Sequence, residues 1–277
     1  MPELPEVDAV RRRLAPVMTG ARFTRVVLHR ADLRQPFPRK FVTRLVGQRV
    51  VALERRGKYL LGQLSSGETL IMHLGMSGSF RIQRRATRAK TSTNVDRVDR
   101  HDHVVFEMSS GATITFNDPR RFGLMDLLSP DRLSAHAALG PMGPEPLSKG
   151  FTADVLAARC RGKRVALKVA LLDQAVVAGL GNIYASEALH VARLSPFRKA
   201  STIATAAGQP VERTRRLAAA IVTVLKKALA RKRRGGTAEF LVYEREAERC
   251  DTPGCRGTIR RVWQAGRSTF YCPVCQK

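Results

Sequence analysis

Residues 250–277 read CDTPGCRGTIRRVWQAGRSTFYCPVCQK, and the spacing Cys250-x4-Cys255-x16-Cys272-x2-Cys275 decides how this end of the chain folds. Four thiolates in two close pairs can surround one tetrahedral zinc and leave no coordination position open, which makes the metal structural. Between the pairs, Thr258–Trp263 and Arg267–Tyr271 have strand character and meet at Gln264-Ala265-Gly266, read as a three-residue turn ending in glycine. A segment this short holds no core of its own and needs such a staple. The alternative, four reduced surface thiols, leaves the paired spacing without a cause. The remaining cysteine, Cys160, stands alone, so metal rather than disulfides accounts for the distribution. A zinc hairpin by itself says only that a small fold is present.

Upstream of the hairpin the chain reads as helical. Ala153–Arg161, Val165–Leu172, Ile183–Ala192 and Val211–Arg234 each carry apolar residues at helical period, the last with Leu217, Ile221, Leu225 and Leu229. Before them, 129–150 holds Pro130, Pro141, Pro144 and Pro146 with three glycines and leads out of a different domain. That domain is built of short strand-like runs, Phe23–Leu28, Val50–Leu53, Tyr59–Leu64, Thr69–Leu74, Val104–Met108 and Ala112–Phe116, punctuated by glycines: a β-sandwich or barrel. A first helix starts after Pro5 with Val7, Val10, Leu14 and Val17 on one face, positioned to pack on a sheet. The polar, aperiodic stretch Thr87–Arg100 reads as a loop and carries no assigned chemistry.

The charge narrows the partner. Among 277 residues, 49 Lys plus Arg face 23 Asp plus Glu, a net of +26, which implies a polyanion. An anionic membrane surface would also attract such a chain, but no apolar run approaches the roughly 20 residues that span a bilayer. The start also lacks the features of a signal peptide. A cytoplasmic, monomeric nucleic-acid-binding protein is expected.

The opening Met1-Pro2-Glu3-Leu4-Pro5-Glu6 offers a nucleophile. An initiator methionine followed by a small residue is normally removed, which exposes the secondary amine of Pro2. An α-amino group titrates near about 7.7–8.0, so a useful fraction is neutral where a lysine is almost wholly protonated. Glu3 and Glu6 stand close by in the chain to handle protons. Taken alone, such a terminus is more often inert.

The series Met1-Pro2-Glu3-Leu4-Pro5-Glu6-Val7, Lys58-Tyr59-Leu60-Leu61, His73-Leu74-Gly75-Met76-Ser77-Gly78, His101-Asp102-His103, Asn117–Gly123 and Gly179-Leu180-Gly181-Asn182-Ile183-Tyr184-Ala185, followed by the terminal cysteines, resembles the bacterial formamidopyrimidine-DNA glycosylases, relatives of endonuclease VIII. The motifs occur in order from residue 2 to residue 275. The resemblance implies an α+β multidomain fold: a catalytic β-sandwich over 1–135, a helical helix-two-turn-helix DNA-binding domain over 136–248 and a zinc-finger β-hairpin over 249–277. It implies an enzyme of base excision repair that removes oxidised bases from damaged double-stranded DNA and nicks the strand by β,δ-elimination.

The resemblance also assigns roles. Pro2 matches the Schiff-base nucleophile, Glu3 the acid that assists base loss and ring opening, and Lys58 a second catalytic amine. Arg267 matches the hairpin arginine assigned to the second elimination, and Glu6 a place at the lesion pocket. Met76, Arg120 and Phe122 match the residues that fill the void left by an extruded nucleotide. Extrusion costs a few kcal/mol of stacking, which an apolar wedge and a guanidinium partly recover. His101, Lys163 and Asn182 match DNA contacts, with the helix start after Gly181 offering N–H groups to a phosphate. Zinc on Cys250, Cys255, Cys272 and Cys275 is the one cofactor implied.

Without the resemblance, blander readings hold: Lys58 a solvated cation, Met76 and Phe122 core residues, Gly181-Asn182 a structural cap. A DNA-binding relative that has lost catalysis is the alternative function, against which Pro2, Glu3 and Lys58 stand together. One feature departs from the family. The segment that covers an extruded base there is nearly missing here, where Gly235-Gly236-Thr237 is followed almost at once by Phe240-Leu241-Val242-Tyr243. Weaker excision of 8-oxoguanine, with ring-opened purines or oxidised pyrimidines relatively favoured, is the expected consequence.

Overall fold

The structure, a computed structural model, describes residues 2–84, 99–133, 135–237 and 239–277. Met1 and nearly all of the loop read over Thr87–Arg100 lie outside them. The chain forms two compact units, one of Pro2 and Glu6–Gly140, the other of Glu3–Pro5 and Pro141–Lys277.

The first unit is a β-sandwich. One antiparallel sheet has the order β1 (Phe23–Leu28), β6 (Asp102–Met108), β7 (Ala112–Asn117), β5 (Ser79–Arg84); the other has β2 (Val50–Arg56), β3 (Tyr59–Leu64), β4 (Thr69–His73), β8 (Leu124–Leu128). Residues from both sheets, among them Phe23, Leu60, Met72, Phe106 and Phe116, share one core with Val7, Leu14 and Val17 of α1 (Leu4–Met18), while Val10 packs on it half-buried. Pairing inward-facing residues from two sheets is what makes this a sandwich. β5 and β8 were not foreseen. In SFRIQR only Phe80 and Ile82 are apolar, and in LMDLL Asp126 interrupts the run, so neither stood out as a strand. Short helices α2 (Phe41–Leu45) and α3 (Pro130–Leu133) complete the unit.

The second unit packs α4 (Ala153–Cys160), α5 (Leu167–Leu172), α6 (Asn182–Val191) and α7 (Glu212–Arg233) around a core that includes Leu4, Leu171, Leu189, Leu217, Ile221 and Leu225. Thr152 caps α4 through Val155 N–H at 3.2 Å, the ordinary use of a hydroxyl at that position. α5 begins two residues later than its pattern suggested, because Val165 and Ala166 bridge instead to 199–200. The zinc module contributes β9 (Arg260–Gln264) and β10 (Arg267–Tyr271). Gln264 pairs directly with Arg267, so the connection is the two-residue turn Ala265-Gly266 and not the three-residue turn read from sequence. Both turn residues have positive φ, 47° and 73°, the type I′ geometry that matches strand twist. The apolar core of this module is small: Val242, Cys250, Ile259, Phe270 and Cys272.

Candidate functional site

In the first unit, two loops are locked together to display three side chains. The buried carboxylate of Asp118 accepts from Ser77 Oγ at 2.6 Å, from Gly123 N–H at 2.7 Å and from Arg120 N–H at 3.3 Å. A Cβ on Gly75, whose φ is +61°, would stand 2.3 Å from the Phe122 carbonyl carbon, so the loops touch backbone to backbone. Met76 and Phe122 are consequently 41% and 44% exposed and are not core residues. Arg120 lies over the Phe122 ring at 4.8 Å from its centroid, within cation–π range. His101, half-buried, is tied to the same corner: its carbonyl accepts from Asp118 N–H at 3.0 Å.

Lys58 occupies the β2–β3 turn and is buried to 8% exposure, so it is not the solvated cation that composition favoured. It lies near enough to His73 to act on it electrostatically. Burial, then Lys58, then Arg34 push the His73 pKa down to about 4. His73 Nδ1 accepts from Gly75 N–H at 3.1 Å, which leaves the proton of the neutral ring on Nε2. Pro2 and Glu6 are half-buried in this unit.

The second unit centres on Glu3, 2% exposed. Its carboxylate accepts from Ile183 N–H at 2.9 Å and Tyr184 N–H at 3.3 Å, at the positive end of α6. Two of the helix-start donors expected to face a phosphate are therefore taken by the chain's own carboxylate. Asn182 Nδ2 donates to the carbonyl of Ser268 at 3.0 Å, next to Arg267, which is exposed at the start of β10. Lys163 stands apart from this group and pairs with Asp173 at 3.6 Å on the surface, where such a pair contributes little.

Three residues that sequence reasoning passed over belong here. Lys168, 1% exposed, donates to Thr269 Oγ1 at 2.7 Å and to the Ser268 carbonyl at 3.0 Å. Burial and the Arg267 guanidinium push its pKa down to about 8 against the opposing pull of Glu3. A lysine inside the apolar run LKVALL was the available signal, since lysine is almost never fully buried without a partner. Glu187 accepts from Leu241, Val242 and Tyr243 N–H groups at 2.8–3.0 Å and so pins the short segment before the zinc module. Tyr243, held by it, lies beside Asn182; burial raises its hydroxyl pKa and the Asn182 side chain opposes that. No sequence pattern marks either of these.

The sulfur atoms of Cys250, Cys255, Cys272 and Cys275 all lie within 4.8 Å of one another. The Cys250–Cys275 and Cys255–Cys272 separations are 3.8 and 3.6 Å. Tetrahedral zinc with Zn–S of about 2.3 Å requires sulfur edges of about 3.8 Å, so the four residues fit one structural zinc. His190 Nε2 and Thr252 Oγ1 stand 3.4 and 3.3 Å from Cys250 Sγ, an outer shell that orients a ligand.

A cavity of about 430 Å³ in the second unit, among α6, α7 and residues 239–245, is lined by none of these predicted site residues. The candidate residues lie instead at loop tips, a helix start and a hairpin, as a surface for a macromolecule requires. Among the described residues no helix is long and apolar enough to cross a membrane.

Three family models match in order: the formamidopyrimidine-DNA glycosylase N-terminal domain over residues 1–125, the H2TH domain of the same glycosylases over 142–239, and a zinc finger found in FPG and IleRS over 247–277. The formamidopyrimidine-DNA glycosylase of Rhodopseudomonas palustris is 53% identical over 295 aligned residues, and that of Azorhizobium caulinodans 51% over 296, each covering all of both chains. Among solved structures, the Lactococcus lactis glycosylase in complex with abasic-site DNA superposes with a TM-score of 0.85 at 28% identity. MutM bound to DNA containing carbocyclic 8-oxo-G gives 0.84 at 28%, again with full coverage of both chains.

Proposed function

The chain belongs to the formamidopyrimidine-DNA glycosylase family, and from that premise we propose how its residues perform the family's reaction. It is a DNA glycosylase of base excision repair with AP lyase activity, acting as a monomer on damaged double-stranded DNA, and it works in the cytoplasm, where the nucleoid lies. The observation that carries the reading is Glu3, fixed by α6 in the position directly after Pro2 in the chain.

Pro2, freed of Met1, attacks C1′ of the damaged nucleotide through its neutral amine. The N–C1′ bond forms as the glycosidic bond breaks, and the departing base takes a proton. Glu3 supplies and recovers protons during base loss and opening of the C1′–O4′ bond. The resulting iminium makes a C2′ proton acidic; its removal expels the 3′ phosphate, and a second elimination expels the 5′ phosphate. Lys58 and Arg267 serve these eliminations, and Glu6 borders the lesion. Met76, Arg120 and Phe122 occupy the vacated space in the duplex, while His101, Lys163 and Asn182 hold phosphates and Lys168 fixes the hairpin strand from beneath through Ser268 and Thr269. We assign catalysis to 1–135, strand binding to 136–248 and hairpin contact to 249–277.

The short link after Gly236 leaves little chain to enclose an extruded purine, so 8-oxoguanine is removed less efficiently than ring-opened purines. The test is single-turnover excision from matched duplexes carrying one formamidopyrimidine, one 8-oxoguanine or one oxidised pyrimidine. Base release followed by a one-nucleotide gap flanked by phosphates is expected, fastest for the formamidopyrimidine. Binding without base release would overturn the enzymatic reading, and selective 8-oxoguanine removal would overturn the lesion order.

A further inference from the structure

Trp263 is the only tryptophan of the chain. It is also the most exposed large apolar side chain described, at 71%. A tryptophan normally buries about 150–250 Å² and dominates whatever core it enters. This one enters none: the buried set of the zinc module excludes it. Strand alternation and the register of the hairpin put Trp263 on one face with Arg261, Ser268 and Phe270, the opposite face from Arg267 and Gln264.

The base of that face is covered and its tip is not. Phe270 packs against Tyr243 at 5.0 Å between ring centroids, and the Arg261 guanidinium lies over Phe270 at 5.8 Å while bonding Ser268 Oγ at 3.2 Å. Trp263, near the turn, makes no ring contact among the described residues. Its platform is rigid nonetheless, because the carbonyl of Ser268, its cross-strand partner, is held at 3.0 Å by both Lys168 and Asn182. An exposed aromatic on a fixed support is preorganised for a partner.

The surroundings choose the partner's chemistry. Residues 252–277 contain Arg256, Arg260, Arg261, Arg267 and Lys277 and no Asp or Glu. An aromatic plane on a strongly cationic hairpin, where Arg261 pairs with Glu246 at 3.8 Å and the cations outnumber the acids, suits a nucleic-acid strand, whose phosphates meet the guanidinium groups and whose bases stack on the ring. We propose that Trp263 is a stacking contact of this hairpin on a base of the bound DNA, distinct from the Arg267 contact on the other face. The proposal rests on the DNA-processing function assigned above.

The sole tryptophan makes the test direct. Zinc-loaded full-length protein is excited selectively at the indole while duplex carrying a tetrahydrofuran abasic analogue is added, and Kd is measured in parallel for Trp263→Phe and Trp263→Ala at several salt concentrations. Stacking predicts strong quenching at saturation, affinity reduced about tenfold in Trp263→Ala, near-parental affinity in Trp263→Phe, and an unchanged salt slope, because no phosphate contact is lost. Zinc content equal to that of the parent shows the hairpin intact in both variants. Unchanged emission at saturation with unchanged affinity of Trp263→Ala overturns the proposal and leaves the enzymatic reading standing. A parent chain that neither binds nor nicks the abasic duplex overturns both.

Discussion

A Cβ placed on Gly181 would lie 2.2 Å from the Glu3 carboxyl carbon. The helix start and the carboxylate thus occupy space that only glycine leaves free. Gly181→Ala displaces Glu3 from the Ile183 and Tyr184 N–H groups, and a displacement of about 1 Å at a reacting centre costs on the order of 100-fold in rate. Single-turnover excision should fall by about that factor while zinc content and helical circular dichroism stay near parental. Parental excision in Gly181→Ala would mean that Glu3 is not positioned by this contact.

His73 should stay neutral through the working range. Its folded pKa of about 4 lies below the ordinary value of 6.5, so between those values the unfolded chain binds more protons than the folded one. The stability this contributes is fully present above about 6.5 and is lost as pH falls through about 4. His73→Gln removes that part of the acid sensitivity and flattens denaturation midpoints between pH 6.5 and 4. Nitrogen NMR of the parent should show protonated Nε2 and bare Nδ1 at pH 6; a doubly protonated ring there contradicts the assignment.

Lys168 sets an alkaline limit. With a folded pKa of about 8, it is a cation below that pH and, above it, loses the charge that strengthens its bonds to Thr269 Oγ1 and the Ser268 carbonyl. The same depression means that the unfolded chain holds the extra proton between about 8 and the ordinary 10.5, so the Lys168 contribution to stability grows with pH across that window. In kcat/KM, which reports the free enzyme, activity should rise as the Pro2 amine loses its proton and fall above about pH 8. Lys168→Met should lower the value about tenfold or more and abolish the falling limb; a limb that survives the substitution assigns it to another group.

One zinc per chain holds the hairpin. An apolar cluster of five buried residues is too small to fold this module alone. Metal analysis should return one zinc per chain, and its removal by a chelator should unpair β9 from β10, free Arg267 and cost most of the affinity for abasic duplex. Undiminished binding by metal-free protein contradicts a structural role for the metal.

What was legible in the sequence follows from where each signal resides. The thiols and the apolar periodicity of α7 are local patterns, and so is the alternation of the buried strands. Zinc and the overall architecture could be read for that reason. β5 and β8 escaped because a strand half exposed, or interrupted by Asp126, carries too few apolar positions. The turn at Ala265-Gly266 was mistaken in length because an alanine at positive φ gives no warning of a type I′ turn. Asp118, Glu187 and Lys168 work through partners far along the chain, 41 residues between Asp118 and Ser77 and 100 between Lys168 and Ser268. Nothing local marks such contacts, so the residues that support the site were the hardest to foresee.

The most direct test of the central claim is covalent capture. Purified protein is incubated with abasic-site duplex and borohydride, digested, and the cross-linked peptide is identified by mass spectrometry. A reduced adduct on a peptide that begins at Pro2 is the predicted result and fixes the nucleophile, the loss of Met1 and the lyase chemistry together. An adduct on Lys58 or another side chain, or none while duplex binding is intact, would contradict it.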